Sequence, residues 1–105
     1  MKKSDKKIDN TIRDALTAVC EIALDEIEDF KWITHLVNYN NFPDSLTIIC
    51  VFETDESLLT AQRLKKDRYL LRLIEQELAS YDIKIKKIDR MVSFRTEASM
   101  NTSFH

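Results

Sequence analysis

The chain has 105 residues, 44% of them hydrophobic and 32% charged, with a net charge of −2. These values fit one soluble globular domain and exclude a disordered, collagenous or membrane-spanning chain. It contains no glycine, where an average chain of this length holds roughly seven. That excludes functions that bring backbone close to a phosphate or form a strained elbow: the P-loop, the dinucleotide fingerprint, the glycine-bearing calcium loop and the nucleophile elbow.

In chain order, Ser4 or Asp5 can cap a helix, and Ile8, Ile12, Leu16, Val19, Cys20, Ala23, Ile27 and Phe30 recur every three or four residues. The spacing predicts an amphipathic helix over 6–29. Ile22 and Leu24 fall outside its stripe and suggest burial on a second side or a partner. The acidic last turn opposes the helix dipole, so a cation is expected nearby. Trp32 to Tyr39 and Leu46 to Phe52 are rich in β-branched and aromatic residues, with turn chemistry at Asn40-Asn41-Phe42-Pro43-Asp44 between them. A β-hairpin over 31–53 follows. Its second strand carries apolar residues on both faces and is expected at the sheet centre, covered on both sides.

Thr54, Asp55, Glu56 and Ser57 read as a helix start, and a second helix is expected over 55–80. Leu59, Leu64, Leu70, Leu71, Ile74, Leu78 and Tyr81 would share one broad face, with Leu58, Tyr69 and Leu73 on another. That second apolar side marks Leu58, Tyr69 and Leu73 as candidate self-association residues. Ile83 and Ile85 alternate with Lys84 and Lys86, and Met91 to Glu97 reads as extended, so one bulged strand or a hairpin ends the fold. The expected class is a single α+β domain over 1–105, in the order α-β-β-α-β with a possible further β, its sheet packed with two helices. Residues 1–5 and 98–105 are expected to be flexible ends.

Charge is strongly segregated. Residues 1–7 sum to +3, residues 9–30 to −6, residues 63–72 to +4 and residues 83–97 to +3. Lys65, Arg68, Arg72, Lys84, Lys86 and Lys87 are the candidate contacts for an anion or nucleic acid. The alternative is a solvated face that compensates the acidic first helix. No apolar run is long enough for a membrane span, and the lysine-rich start leads into polar Asp9-Asn10-Thr11 rather than an apolar signal segment. The expected setting is a bacterial-type cytoplasm, without membrane contact. Cys20 and Cys50 sit among apolar residues without metal or redox spacing, which predicts buried free thiols.

No catalytic, cofactor or metal site is expected. His35 alternates with Ile33 and Val37 in a strand and His105 is terminal, so a zinc or hydrolytic centre would require Cys20, Cys50 and a carboxylate to converge on His35. Pro43-Asp44 with Glu53 and Asp55 faintly resembles the acidic motif of magnesium-dependent nucleases, but the basic residue after the second acid is missing.

The stretch Ile8-Asp9-Asn10-x-Ile12-Arg13 through Phe30-x-Trp32-x-Thr34-His35, then Asn41-Phe42-Pro43-x-Ser45-Leu46 and Ile49-Cys50-Val51-Phe52, resembles a family of small uncharacterised bacterial proteins. Its members are sometimes labelled Fis-type transcriptional regulators. The resemblance covers about residues 5–55 and carries no residue role with it. The label implies a helical dimer with a C-terminal helix-turn-helix, whereas the last third here reads as β-structure. The leading expectation is a non-catalytic binding or adaptor protein acting through protein contacts as a homodimer. The alternative is a nucleic-acid-binding regulator using the basic residues of helix two and the C-terminal strands.

Overall fold

The computed structural model describes residues 3–98. The first helix, α1, runs Lys3–Glu26, so residues 3–5 form its first turn. The remaining residues expected to be flexible, all but Ala98, lie outside the described residues. Ile12, Ala15, Leu16, Val19, Ala23 and Ile27 bury the predicted stripe, while Ile22 is half-buried and Leu24 exposed. The helix stops short of residue 29 because Asp29 turns the chain in the left-handed region at φ 64°.

The hairpin forms as expected. Strand β1, Phe30–Leu36, pairs antiparallel with β2, Thr47–Phe52, with Ile33 opposite Cys50 and His35 opposite Ile48. Lys31 is the extra residue of a bulge between Phe30 and Trp32. A 3₁₀ turn at Tyr39–Asn41 begins the connection. Strand β3, Val92–Thr96, joins the other side of β2 in parallel, so β2 is the centre of a three-stranded mixed sheet.

The second predicted helix is two helices. Thr54 caps α2, Asp55–Arg63: its Oγ1 accepts the Ser57 N–H at 3.1 Å while Ser57 Oγ accepts the Thr54 N–H at 2.9 Å. This reciprocal box satisfies two donors of the first turn. Helix α2 ends at Leu64, and Lys65 takes the left-handed conformation at φ 59° before α3, Lys66–Ser80. A helix end commonly places glycine there, since a Cβ in that region costs about 1–2 kcal/mol; this chain has none to place. The break divides the broad apolar face. Leu70, Ile74 and Leu78 are buried, whereas Leu59, Leu64 and Tyr81 are exposed.

Residues 83–86 are not a strand. Asp82, at φ 64°, closes α3: its N–H donates to the Ala79 carbonyl at 3.0 Å and that of Ile83 to the Leu78 carbonyl at 2.9 Å. These are the paired bonds of a Schellman cap, and Ile83 with Leu78 makes the apolar contact that accompanies it. A single turn, α4, Ile88–Met91, then leads into β3. No fourth strand occurs among the described residues.

The architecture is α+β, with helices on one face of the sheet. Ile48, Cys50, Phe52 and Val92 face that layer and join the α1 and α3 stripes in one core. Among the described residues no helix packs against the opposite face, so the expected cover on both sides of β2 is seen on one side only. Val51 is fully buried there, between Trp32 and Arg95, its register partners on the two flanking strands, while Ile49 is half-exposed.

Candidate binding surfaces

The six predicted anion contacts are all exposed. They do not form one compact cluster. Lys65, Arg68 and Arg72 lie at the start and along the outer side of α3, while Lys84, Lys86 and Lys87 belong to the loop beyond its far end. Helical rise puts the two groups roughly 20 Å apart. Among the described residues, none of the six lies in an ion pair; the pairs are Asp9 with Arg13 and His35, and Lys31 with Glu53. Asp25, Glu26, Glu28 and Asp29 likewise form none, so no direct contact expresses the expected compensation between acidic α1 and the basic segments.

Leu58, Tyr69 and Leu73 are half-buried and pack against the core instead of standing free on a second face. The break at Leu64-Lys65 puts Leu58 on α2 and Tyr69 and Leu73 on α3, so the three do not share one helix face. The Tyr69 hydroxyl donates to Glu26 Oε2, an interaction that raises the phenol above its ordinary pKa.

Apolar exposure lies elsewhere, at positions the sequence did not single out as sites. One place is the sheet face away from the helices, where Trp32, Leu36 and Ile49 alternate with Thr34, Thr47 and Ser93 in register across three strands; Leu36 is 63% exposed. The other is a cleft of about 540 Å³ between the end of α1 and α2. Leu59 and Leu64 stand at its edge, 54% and 64% exposed, beside Glu26, Glu28, Asp29 and Glu56. Their signal was hidden, because a continuous helix would have put both leucines in the core.

A second groove follows the outer edge of β1, where α1 lies against the strand. His35 Nε2 and Asp9 Oδ1 are 2.8 Å apart, and Arg13 Nε pairs with Asp9 Oδ2 at 3.1 Å. Cys20 faces the same groove. Desolvation, aided by Glu21, pushes its thiol above the usual value. Burial pushes Cys50 up to about 12. Both cysteines are free thiols, and their shifts run opposite to those of an activated thiolate.

The acids of the nuclease-like pattern do not meet. Asp44 precedes β2 and Glu53 follows it, and a six-residue strand separates them by roughly 20 Å. Asp55 Oδ1 instead accepts the Thr96 hydroxyl at 2.7 Å and ties α2 to β3. Among the described residues no three histidine, cysteine or acidic side chains gather to hold a metal ion, and no helix is long and apolar enough to cross a membrane. No family model, curated protein or solved structure matches the chain.

Proposed function

We propose that the protein is a non-catalytic binding or adaptor protein that works through protein–protein contacts, with a second copy of itself as one partner. The sheet face away from the helices carries this reading: among the described residues β2 is an apolar central strand with helices on one side only, and Trp32, Leu36 and Ile49 line the other. An apolar sheet face normally packs against another layer. Three strands of about six residues offer a footprint of roughly 300 Å², below the roughly 800 Å² per partner of a standard stable interface. The self-association is therefore weak, with a dissociation constant of about 10 µM or above.

Sedimentation velocity over a concentration series tests it. The wild type should shift from monomer toward dimer as concentration rises, and Leu36→Glu with Ile49→Lys should remain monomeric with an unchanged circular dichroism spectrum. A wild-type monomer up to about 1 mM, or a dimer indifferent to both substitutions, overturns the reading.

A second reading is supported by the exposed cations. Lys65, Arg68, Arg72, Lys84, Lys86 and Lys87 are free of ion pairs among the described residues, as phosphate contacts of a nucleic-acid-binding regulator would be. Its signature is salt. Each phosphate contact contributes about 0.9 to the slope of log affinity against log salt on duplex DNA. Arg68→Ala and Lys86→Ala should each lower that slope by about one contact and weaken binding alike on all sequences. Absence of any shifted band at about 50 mM salt, where electrostatic binding is strong, removes this reading.

A further inference from the structure

We propose that the cleft between the end of α1 and α2 docks a segment of another protein that presents two apolar side chains among lysines or arginines. The surface is separate from the sheet face away from the helices and goes beyond self-association.

The apolar part of the argument is the exposure of Leu59 and Leu64. Both belong to the apolar pattern of the sequence, yet the left-handed turn at Lys65 leaves them outside the core on the rim of one cleft. Two large apolar side chains exposed beside a concave surface can anchor a partner's side chains in the way that buried anchors dominate small interfaces.

Charge specifies the partner. Glu26, Glu28 and Asp29 rise from the α1 side and Glu56 from α2, and the carbonyl end of α1 adds its partial negative charge to a last turn that contains no basic residue. No ion pair among the described residues neutralises these four carboxylates. A nucleic acid would be repelled here. Arg63 and Lys66 stand at the α3 end of the cleft, so its charge runs from negative to positive along its length and favours one direction of the bound segment.

The walls are set before binding. The Glu53 N–H donates to the Asp29 carbonyl at 3.0 Å, which fixes the turn bearing Glu28 and Asp29, and the Thr54–Ser57 box fixes the start of α2. A preformed cleft spares a ligand the cost of ordering the receptor. A second copy is a poor occupant. Its α1 cations Lys6 and Lys7 stand beside Ile8 and Ile12, which are engaged in that copy's own core, and its exposed Leu59 and Leu64 line its own acidic cleft, where like charges would meet.

The test is an amide chemical-shift titration of the ¹⁵N-labelled full chain with the synthetic peptide Ac-Lys-Lys-Leu-Lys-Lys-Leu-Lys-Lys-NH₂. Its control is the same peptide with serine for both leucines. The expected result is a set of shifts confined to residues 26–29 and 56–66, with a dissociation constant of about 10–500 µM. The serine peptide, or the doubly substituted protein Leu59→Ser with Leu64→Ser, should bind at least about tenfold more weakly. Both leucines are exposed, and an unchanged amide spectrum elsewhere verifies that the variant folds. Equal affinity for the two peptides would reduce the cleft to a general cation attractor and overturn the proposal, as would shifts centred outside it or no shifts at all. The sheet-face variant Ile49→Lys should bind the peptide like the wild type, which keeps failure of the homodimer distinct from failure of the cleft.

Discussion

Replacing Phe52 by alanine should lower the stability of the domain by about 3–5 kcal/mol, the cost of a fully buried aromatic side chain and the cavity it leaves. Phe52 ends the central strand with no exposed surface and meets Phe30 edge-on, ring centroids 5.7 Å apart. It also stands in register with Phe30 on β1 and Thr96 on β3, so its removal loosens the point where both flanking strands join β2. For a domain of this size the loss is a large fraction of the total, since native stability is typically about 5–15 kcal/mol. Urea unfolding should show a lower midpoint with the slope preserved, meaning that stability and not the extent of the core has changed. A loss below about 1 kcal/mol would mean that the site collapses around the gap, and the description of β2 as the packed centre would fail.

What could be read from the sequence was local. The Thr54–Ser57 box is written in four consecutive residues, and the α1 stripe and the 31–53 hairpin each follow from one period and one turn. The break at Leu64-Lys65 was not legible: neither glycine nor proline marks it, and Leu59, Leu64 and Leu70 fit an uninterrupted helix. A chain without glycine must end its helices on other residues, and Asp29, Lys65 and Asp82 do so in the left-handed region. These positions carry no punctuation that a pattern can detect. The Ile83-Lys84-Ile85-Lys86 alternation misled for a related reason. Ile83 is buried as the apolar partner of a helix cap, and the two sides of β2 are already taken by β1 and β3. With helix two divided, the apolar residues that remained exposed changed as well. Leu58, Tyr69 and Leu73 are half-buried against the core, and Leu59 and Leu64 are the more exposed leucines. The resemblance implied a C-terminal helix-turn-helix; β3 occupies residues 92–96 instead.

The contact between Asp9 and His35 spans 26 positions and had no sequence signal, yet it should carry the second-largest single effect. Asp9 uses both carboxylate oxygens, one toward His35 on β1 and the other toward Arg13 on its own helix. Arg13 is exposed, so its pair should contribute little. The His35 side chain is only 13% exposed and that of Asp9 16%, and a polar group left without its partner at that depth costs about 1–3 kcal/mol. Asp9→Ala should therefore destabilise the fold by that amount. Asp9→Asn, which keeps an oxygen within reach of the imidazole, should cost less, and Arg13→Ala almost nothing. Pairing the substitutions isolates the contact: a cycle of Asp9→Ala and His35→Ala should show a coupling of about 0.5–3 kcal/mol. The contact also ties α1 to β1, an edge strand of the sheet, and loosening an edge strand exposes backbone groups that can pair with another chain. Asp9→Ala should accordingly aggregate faster than Phe94→Ala, which truncates a half-buried side chain of β3 packed against the core, when the two are compared at equal stability. Additive single effects within about 0.3 kcal/mol would show that Asp9 and His35 are neighbours without being a clasp.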